Sequence, residues 1–188
     1  LINSHAETAQ TRRLIMRAPA SGAHRARVTV KGEGEVRLFG FVFERNRAGV
    51  VYDSLGLEGA RVRQLLKIDW SSWRQQIQQR KPDLFILHYG TNESQWFREK
   101  LYRPGLTQVI QRFKKTLPRT PCMLVSPMDR AKKSKNSGRL KSMKVVKKIV
   151  NAQREIALSS GCAFWSAYDA MGGRGSMARW YRASPKLA

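Results

Sequence analysis

The residues with the most chemical content lie in "PDLFILHYGTNES", residues 82–94. A nearly continuous apolar run follows Pro82 and delivers Gly90-Thr91-Asn92-Glu93. Such a run reads as a strand covered on both faces. An asparagine at the end of that strand can aim its amide NH2 at a developing oxyanion, a small fixed dipole in a dry site. Gly90 would let the backbone come close to a substrate. The same asparagine also suits a turn or a helix cap, so spacing alone leaves both readings open. A second candidate is Ser54 in "GVVYDSLGLEGARV", residues 49–62, a hydroxyl nucleophile if a base lies within reach.

The remaining reactive side chains form no pattern of their own. His5, His24 and His88 are scattered without metal-ligand spacing, and Cys122 and Cys162 lack a CxxC or Cys/His arrangement. Zinc is therefore not expected, and nothing calls for another metal or a cofactor. His88 falls within the strand, where it reads as a core or face histidine. Asp169 precedes Met171-Gly172-Gly173 with no histidine three residues on. Neither is assigned a catalytic role.

The elements that must position these residues can be read from apolar periodicity. Residues 12–44 alternate as short strands, "RRLIMRAP", "ARVTVKG" and "VRLFGFVFE", separated by Ser, Gly and Glu turns. From Gly49 the rhythm becomes β/α. "GVVYDSLG" reads as a strand running into a glycine turn. Val62, Leu65, Leu66, Trp73 and Ile77 then predict helix, interrupted around Asp69-Trp70-Ser71. After "PDLFILHYG", Leu106, Val109, Ile110, Phe113 and Leu117 predict a helix that Pro118 ends. "PCMLVSPMD" is a second buried strand. Val146, Ile149, Val150, Gln153 and Ile156/Ala157 form one stripe of a helix closing at Gly161, and "GCAFWSAYDAMGG" adds a strand. The result is an α/β chain with a parallel, flavodoxin-like three-layer sheet. In such sheets ligands gather at the strands' carboxyl ends, here "YDSLGLEG", "YGTNES", "SPMDR" and "AMGGRGS".

Charge narrows the partners. The 188 residues hold 36 Lys+Arg against 13 Asp+Glu, a net charge of +23, which favours anionic partners. Nine of those cations crowd "RAKKSKNSGRLKSMKVVKK", residues 130–148, with no acid among them. That run is either an anion-binding arm or a solvated loop and helix face. Few aromatics interleave with it, so nucleic-acid stacking is not expected. The apolar runs are strand-sized and too short to span a membrane as a helix.

Taken together, "YDSLGLEGA" and "PDLFILHYGTNE" resemble blocks II and III of the SGNH, or GDSL-like, hydrolases. "GCAFWSAYDAMGG", "GSMARW" and "SPKLA" resemble the approach to block V in a bacterial branch that includes peptidoglycan O-acetylesterases. The resemblance covers about residues 36–188. It implies an oxyanion hole of the Gly56 backbone N–H and the Asn92 amide. These positions are 36 residues apart (56 to 92), room for one strand-helix-strand step. Ser54 then falls at the end of the block II strand, one step too late to be the nucleophile, and is expected to be a turn residue. The family's nucleophile serine would lie upstream of Leu1 and its Asp-x-x-His beyond Ala188, so the 188 residues alone are expected to be inactive. Residues 1–48 would be the tail of a carbohydrate-binding-module-like β-sandwich, and residues 49–188 a partial SGNH hydrolase domain.

The implied activity is removal of O-acetyl groups from a cell-envelope glycan through a serine acyl-enzyme, without cofactor, in the periplasm or outside the cell. Acetylated glycan would be the substrate and residues 130–148 would touch anionic polymer. The alternative is a non-catalytic basic module that binds glycan or nucleic acid. A nucleotide-binding flavodoxin-like reading lacks a GxGxxG or GKS/T after a strand. Cys122 and Cys162 each open a strand, and as starts of parallel neighbours they would lie close enough for a disulfide. Two small buried thiols are the other reading.

Overall fold

The computed structural model describes residues 7, 12–18, 22–38, 40–45, 47–185 and 187. His5 lies outside the described residues. The chain divides into two units, residues 1–54 and 55–188.

In the first unit the described residues form no helix and no strand, and all of them are exposed. The three strand-like segments of 12–44 and the strand expected at "GVVYDSLG" are therefore not formed. Val50 is 97% exposed and Phe43 76% exposed, although Phe41 and Phe43 stack with ring centroids 6.2 Å apart. Alternation provides a face to bury but not the partner strand that pairs its N–H and C=O groups. Without that ladder the pattern stays latent.

The second unit is an α/β body. A 3-10 turn at Val62–Lys67 leads to α1, Trp70–Arg80. Asp69 caps α1 by accepting the Ser72 N–H at 2.8 Å, so the interruption falls where the sequence placed it. Strands β1 (Phe85–His88), β2 (Cys122–Val125) and β5 (Ala163–Trp165) form a parallel sheet in the order β1-β2-β5. Helix α2 (Glu99–Thr116) connects β1 to β2, and α3 (Lys144–Ser159) precedes β5. Helix α2 begins seven residues before the first apolar position that marks its stripe. Pro104 stands in its second turn and leaves the Lys100 carbonyl without its helical N–H donor.

The register aligns Leu87 with Leu124 and Leu124 with Phe164. These side chains pack with Phe85 against Leu106, Val109, Ile110 and Phe113 of α2 and Ile149, Ala152 and Ile156 of α3. Phe85 stacks on Phe113, and Trp73 meets Phe113 edge-on at 4.4 Å. The other face is open in part: Ile86 is 41% and Trp165 51% exposed. The strand in "PDLFILHYG" is thus covered on one face and not, as its apolar run predicts, on both.

Cys122 and Cys162 are joined in a disulfide, with their Cα atoms 4.8 Å apart. Parallel pairing of β2 with β5 brings the two strand starts together, as the strand order predicts. Closing a loop of this length stabilises a fold by about 4 kcal/mol in the chain-entropy account.

Between β2 and α3 the basic run folds into an antiparallel hairpin, β3 (Ala131–Lys133) and β4 (Leu140–Ser142). Short helices α4 (Ala167–Ala170) and α5 (Ser176–Arg182) follow β5. Neither reading of the run, an anion-binding arm or a solvated loop and helix face, included a strand pair here. A segment this rich in lysine has no apolar alternation to announce a strand.

Candidate functional site

At the carboxyl end of β1 the chain makes a loop and one 3-10 turn, Glu93–Gln95. Its backbone is held from four directions. Gln153 of α3 donates its Nε2–H to the Tyr89 carbonyl at 2.8 Å. Glu93 is buried, and its two carboxyl oxygens accept the Gly90 N–H at 3.1 Å and the Val62 N–H at 2.6 Å. Arg130 donates through Nη1 to the Thr91 carbonyl and to Ser94 Oγ, each at 2.7 Å. Asn92 donates its Nδ2–H to the Ala60 carbonyl at 2.9 Å.

The last bond decides what Asn92 can do. A primary amide carries two N–H donors. One is held by Ala60, which fixes the amide plane. No protein acceptor takes the second among the described residues. The turn it grips runs from Leu57 to Ala60, closed by the Ala60 N–H donating to the Leu57 carbonyl at 3.1 Å. Gly59 occupies its third position with φ +72°, a conformation that favours glycine. Gly56 precedes this turn, exposed, with open space where a Cβ would stand. Asn92 and the glycine turn are therefore brought together across more than thirty residues of sequence, and the residue gripped is nearer to Gly59 than to Gly56.

Gly90 is required by its packing. Its φ is +117°, and a Cβ there would stand 2.9 Å from the Pro127 ring and 3.0 Å from Ile149 Cγ2. The close approach is to the neighbouring loop. Ser54 is exposed on irregular backbone. His88 is exposed on β1. Asp169 faces Lys147 at 3.8 Å and Arg154 at 3.7 Å, and compensates charge.

Sequence reasoning missed Asp129, which is fully buried. Its Oδ2 accepts from Ser142 Oγ at 2.6 Å, the Gly175 N–H at 3.1 Å and the Met177 N–H at 3.2 Å. It fastens the hairpin to the glycine-rich segment after α4. Glu93, Arg130, Gln153 and Gly59 were also missed as site residues. Only Gly59 carried a local signal, as a glycine in the third position of a Leu-Glu-Gly-Ala turn. Among the described residues no group of His, Cys, Asp and Glu is placed to hold a metal ion, and no helix is long and apolar enough to cross a membrane.

Residues 22–186 match the GDSL-like Lipase/Acylhydrolase family. The chain belongs to that family. The body also resembles a solved peptidoglycan O-acetylesterase, with 25% sequence identity and a TM-score of 0.54, over 65% of this chain and 35% of that one. The chain thus spans about a third of that structure's length. Two further structures are similar at 17% identity. One is a catalytic mutant of an acetylxylan esterase from Geobacillus stearothermophilus (TM-score 0.44; 60% of this chain, 52% of that one). The other is an acetyl xylan esterase (TM-score 0.46; 61% and 58%). No curated protein matches the chain significantly. The parallel sheet β1-β2-β5 with its helices agrees with the α/β fold expected of the sequence.

Proposed function

We propose that this protein is a serine esterase that removes O-acetyl groups from a cell-envelope glycan. The observation that carries the reading is the Asn92 amide, fixed on the Ala60 carbonyl with its second N–H free, beside a glycine turn in a GDSL-like chain. In the reaction a serine Oγ attacks the acetyl carbonyl and a histidine takes its proton. The carbonyl oxygen becomes the oxyanion, which the Asn92 N–H and a backbone N–H of the Gly56–Ala60 segment stabilise. The histidine returns the proton to the sugar oxygen as it leaves. Water then cleaves the acyl-enzyme and releases acetate. No metal or cofactor enters these steps. Gly56 is the donor implied by family resemblance, and Gly59 lies in the turn whose Ala60 carbonyl Asn92 holds.

The glycan assignment rests on likeness to the peptidoglycan O-acetylesterase. The disulfide fits an oxidising compartment, periplasmic or extracellular. Residues 130–148 are proposed to contact anionic groups of the polymer, and a cleft of about 450 Å³ at the start of α3, lined by Lys144 and Lys147 of that run, adds Arg174 to that surface. The sandwich-tail identity of residues 1–48 stays part of this proposal.

The test is acetate release by the full-length protein from acetylated peptidoglycan and from a small neutral acetyl ester. Asn92→Ala is expected to lower turnover by about 10²–10³-fold, the loss caused by removal of one oxyanion donor. Ser54→Ala is expected to be silent. Loss of acyl-enzyme formation in Ser54→Ala alone would overturn the block assignment. If no variant affects acetate release while lysine substitutions in 130–148 abolish glycan retention, the chain is a binding module.

A further inference from the structure

The basic run 130–148 is not uniform. Lys132, Lys133, Lys135, Arg139 and Lys141 are exposed and form no ion pair among the described residues, whereas Arg130 turns inward. We infer that Arg130 is a positioning residue that sets the direction of the Asn92 amide, an inference that rests on the oxyanion reading of Asn92.

Asn92 is flanked by two residues that Arg130 holds. Thr91 precedes it, and Ser94 lies two residues beyond it. Arg130 Nη1 donates to the carbonyl of the first and the hydroxyl of the second. Ser94 Oγ in turn donates to the Thr91 carbonyl at 2.7 Å. Three groups thus close a ring around the Asn92-Glu93 dipeptide. Rotation of the peptide joining Thr91 to Asn92, which would swing the amide away, must break bonds to a charged donor. Such bonds are stronger than neutral ones. The Ala60 carbonyl holds the tip of the Asn92 side chain, and Arg130 holds its root.

Arg130 is itself a rigid anchor. Its carbonyl accepts the Met143 N–H at 2.7 Å, closing the base of the hairpin. The adjacent residue is Asp129, whose carboxyl group grips Gly175 and Met177. One dipeptide therefore reaches two loops at the carboxyl edge: Arg130 to the loop of Asn92, Asp129 to the glycine-rich segment. A shift of either loop is passed to the other through the backbone of residues 129–130. Displacing a catalytic donor by about 1 Å costs on the order of 10²-fold in rate, so an anchor at this point carries kinetic weight.

The chemistry of the donor sets the variants. Both bonds leave one nitrogen, so a lysine ammonium with three donors can reproduce them in part, while methionine keeps the stem and removes the donors. In the full-length protein acting on a small neutral acetyl ester, Arg130→Met is expected to lower kcat about 10–100-fold with KM little changed. Arg130→Lys should regain a measurable part of that loss. Ser94→Ala, which deletes one acceptor, should give a smaller fall. Because Arg130 acts through Asn92, the double variant Asn92→Ala/Arg130→Met should be no slower than Asn92→Ala alone. Thermal unfolding of each variant gives the structural control.

Several results would overturn the inference: an unchanged kcat in Arg130→Met, fully additive losses in the double variant, or an Arg130→Lys no faster than Arg130→Met with kcat tracking the melting temperature. If Arg130→Met does not fold, Ser94→Ala and Arg130→Lys decide on the same two criteria. Failure of the underlying reading looks different. There Asn92→Ala itself keeps wild-type turnover, whatever Arg130 does.

Discussion

The loop 89–95 and the hairpin 131–142 leave neighbouring strands of one parallel sheet, and they are held by opposite means. In the loop, the Tyr89 carbonyl, the Gly90 N–H, the Thr91 carbonyl and the Asn92 amide each have a partner, three of them side chains. In the hairpin, Lys132 faces Lys141 directly across the ladder, and both lysines are exposed. Like charges opposite one another destabilise a strand pair. The hairpin is kept by its base, where Asp129 receives Ser142 and the Arg130 carbonyl receives Met143. A loop gripped along its length can hold a dipole in a fixed direction, as an oxyanion donor requires. A hairpin gripped only at its root can offer charge without a fixed geometry, which suits a polymer surface.

On this contrast, perturbing the loop should cost stability that perturbing the hairpin does not. The largest effect is expected at Glu93. Replacing it with alanine leaves the Gly90 and Val62 N–H groups buried without acceptors, at about 1–3 kcal/mol each. Glu93→Ala should therefore lower stability by about 4 kcal/mol in denaturant melts. A change below about 1 kcal/mol would mean that water readily replaces the carboxyl group and the loop is not rigid.

Gly90→Ala comes next. The new methyl would need φ +117° and would press on Pro127 at 2.9 Å, so backbone strain and overpacking add. A loss of about 3 kcal/mol is expected from these two sources. Wild-type stability would show that the β1 exit can move off Pro127.

Beneath the loop lies Tyr102, whose hydroxyl receives the Gln153 Nε2–H at 2.9 Å. Burial, with the charge of Glu93 adding to it, pushes the Tyr102 phenol well above its ordinary range. A folded pKa above the unfolded value near 10 means that the fold prefers the protonated phenol. Its contribution is complete below about pH 10 and declines as the pH rises beyond that, because the unfolded chain releases the proton first. Tyr102→Phe should flatten this alkaline decline at the loss of about 1 kcal/mol from the hydrogen bond. The same slope in both proteins would assign the alkaline loss elsewhere.

The smallest effect belongs to the hairpin. Lys132→Glu replaces a repulsion with Lys141 by an attraction and should raise stability by no more than about 0.5 kcal/mol. The same change should weaken retention on an anionic glycan, most visibly at low salt. Marked destabilisation would place the hairpin with the loop and dissolve the contrast.

Much of the sheet and its crossover helices could be read from periodicity, since buried faces repeat every two or 3.6 residues whatever surrounds them. That is why Phe85–His88, Cys122–Val125 and the stripe of α3 fall where the sequence placed them, and why the disulfide agrees with the strand order. Asn92 is legible because a parallel strand carries its C-terminal neighbours to the sheet edge. By itself, then, the sequence determined the α/β order, the charge and the asparagine at the strand end. It left the two cysteines as either a disulfide or separate thiols, which the strand pairing decided. The tertiary structure decided what holds that asparagine. Glu93, Arg130, Gln153 and the turn of Gly59 lie far from one another in sequence or look like ordinary polar residues, and no periodicity marks them. Their roles come from distances across segments, where a donor near 2.7–3.1 Å binds and one a few ångströms farther does not. The same dependence on partners explains the segments that failed to form. Residues 12–54 carry strand patterns, but a strand exists only when another backbone accepts its hydrogen bonds, and that condition is tertiary.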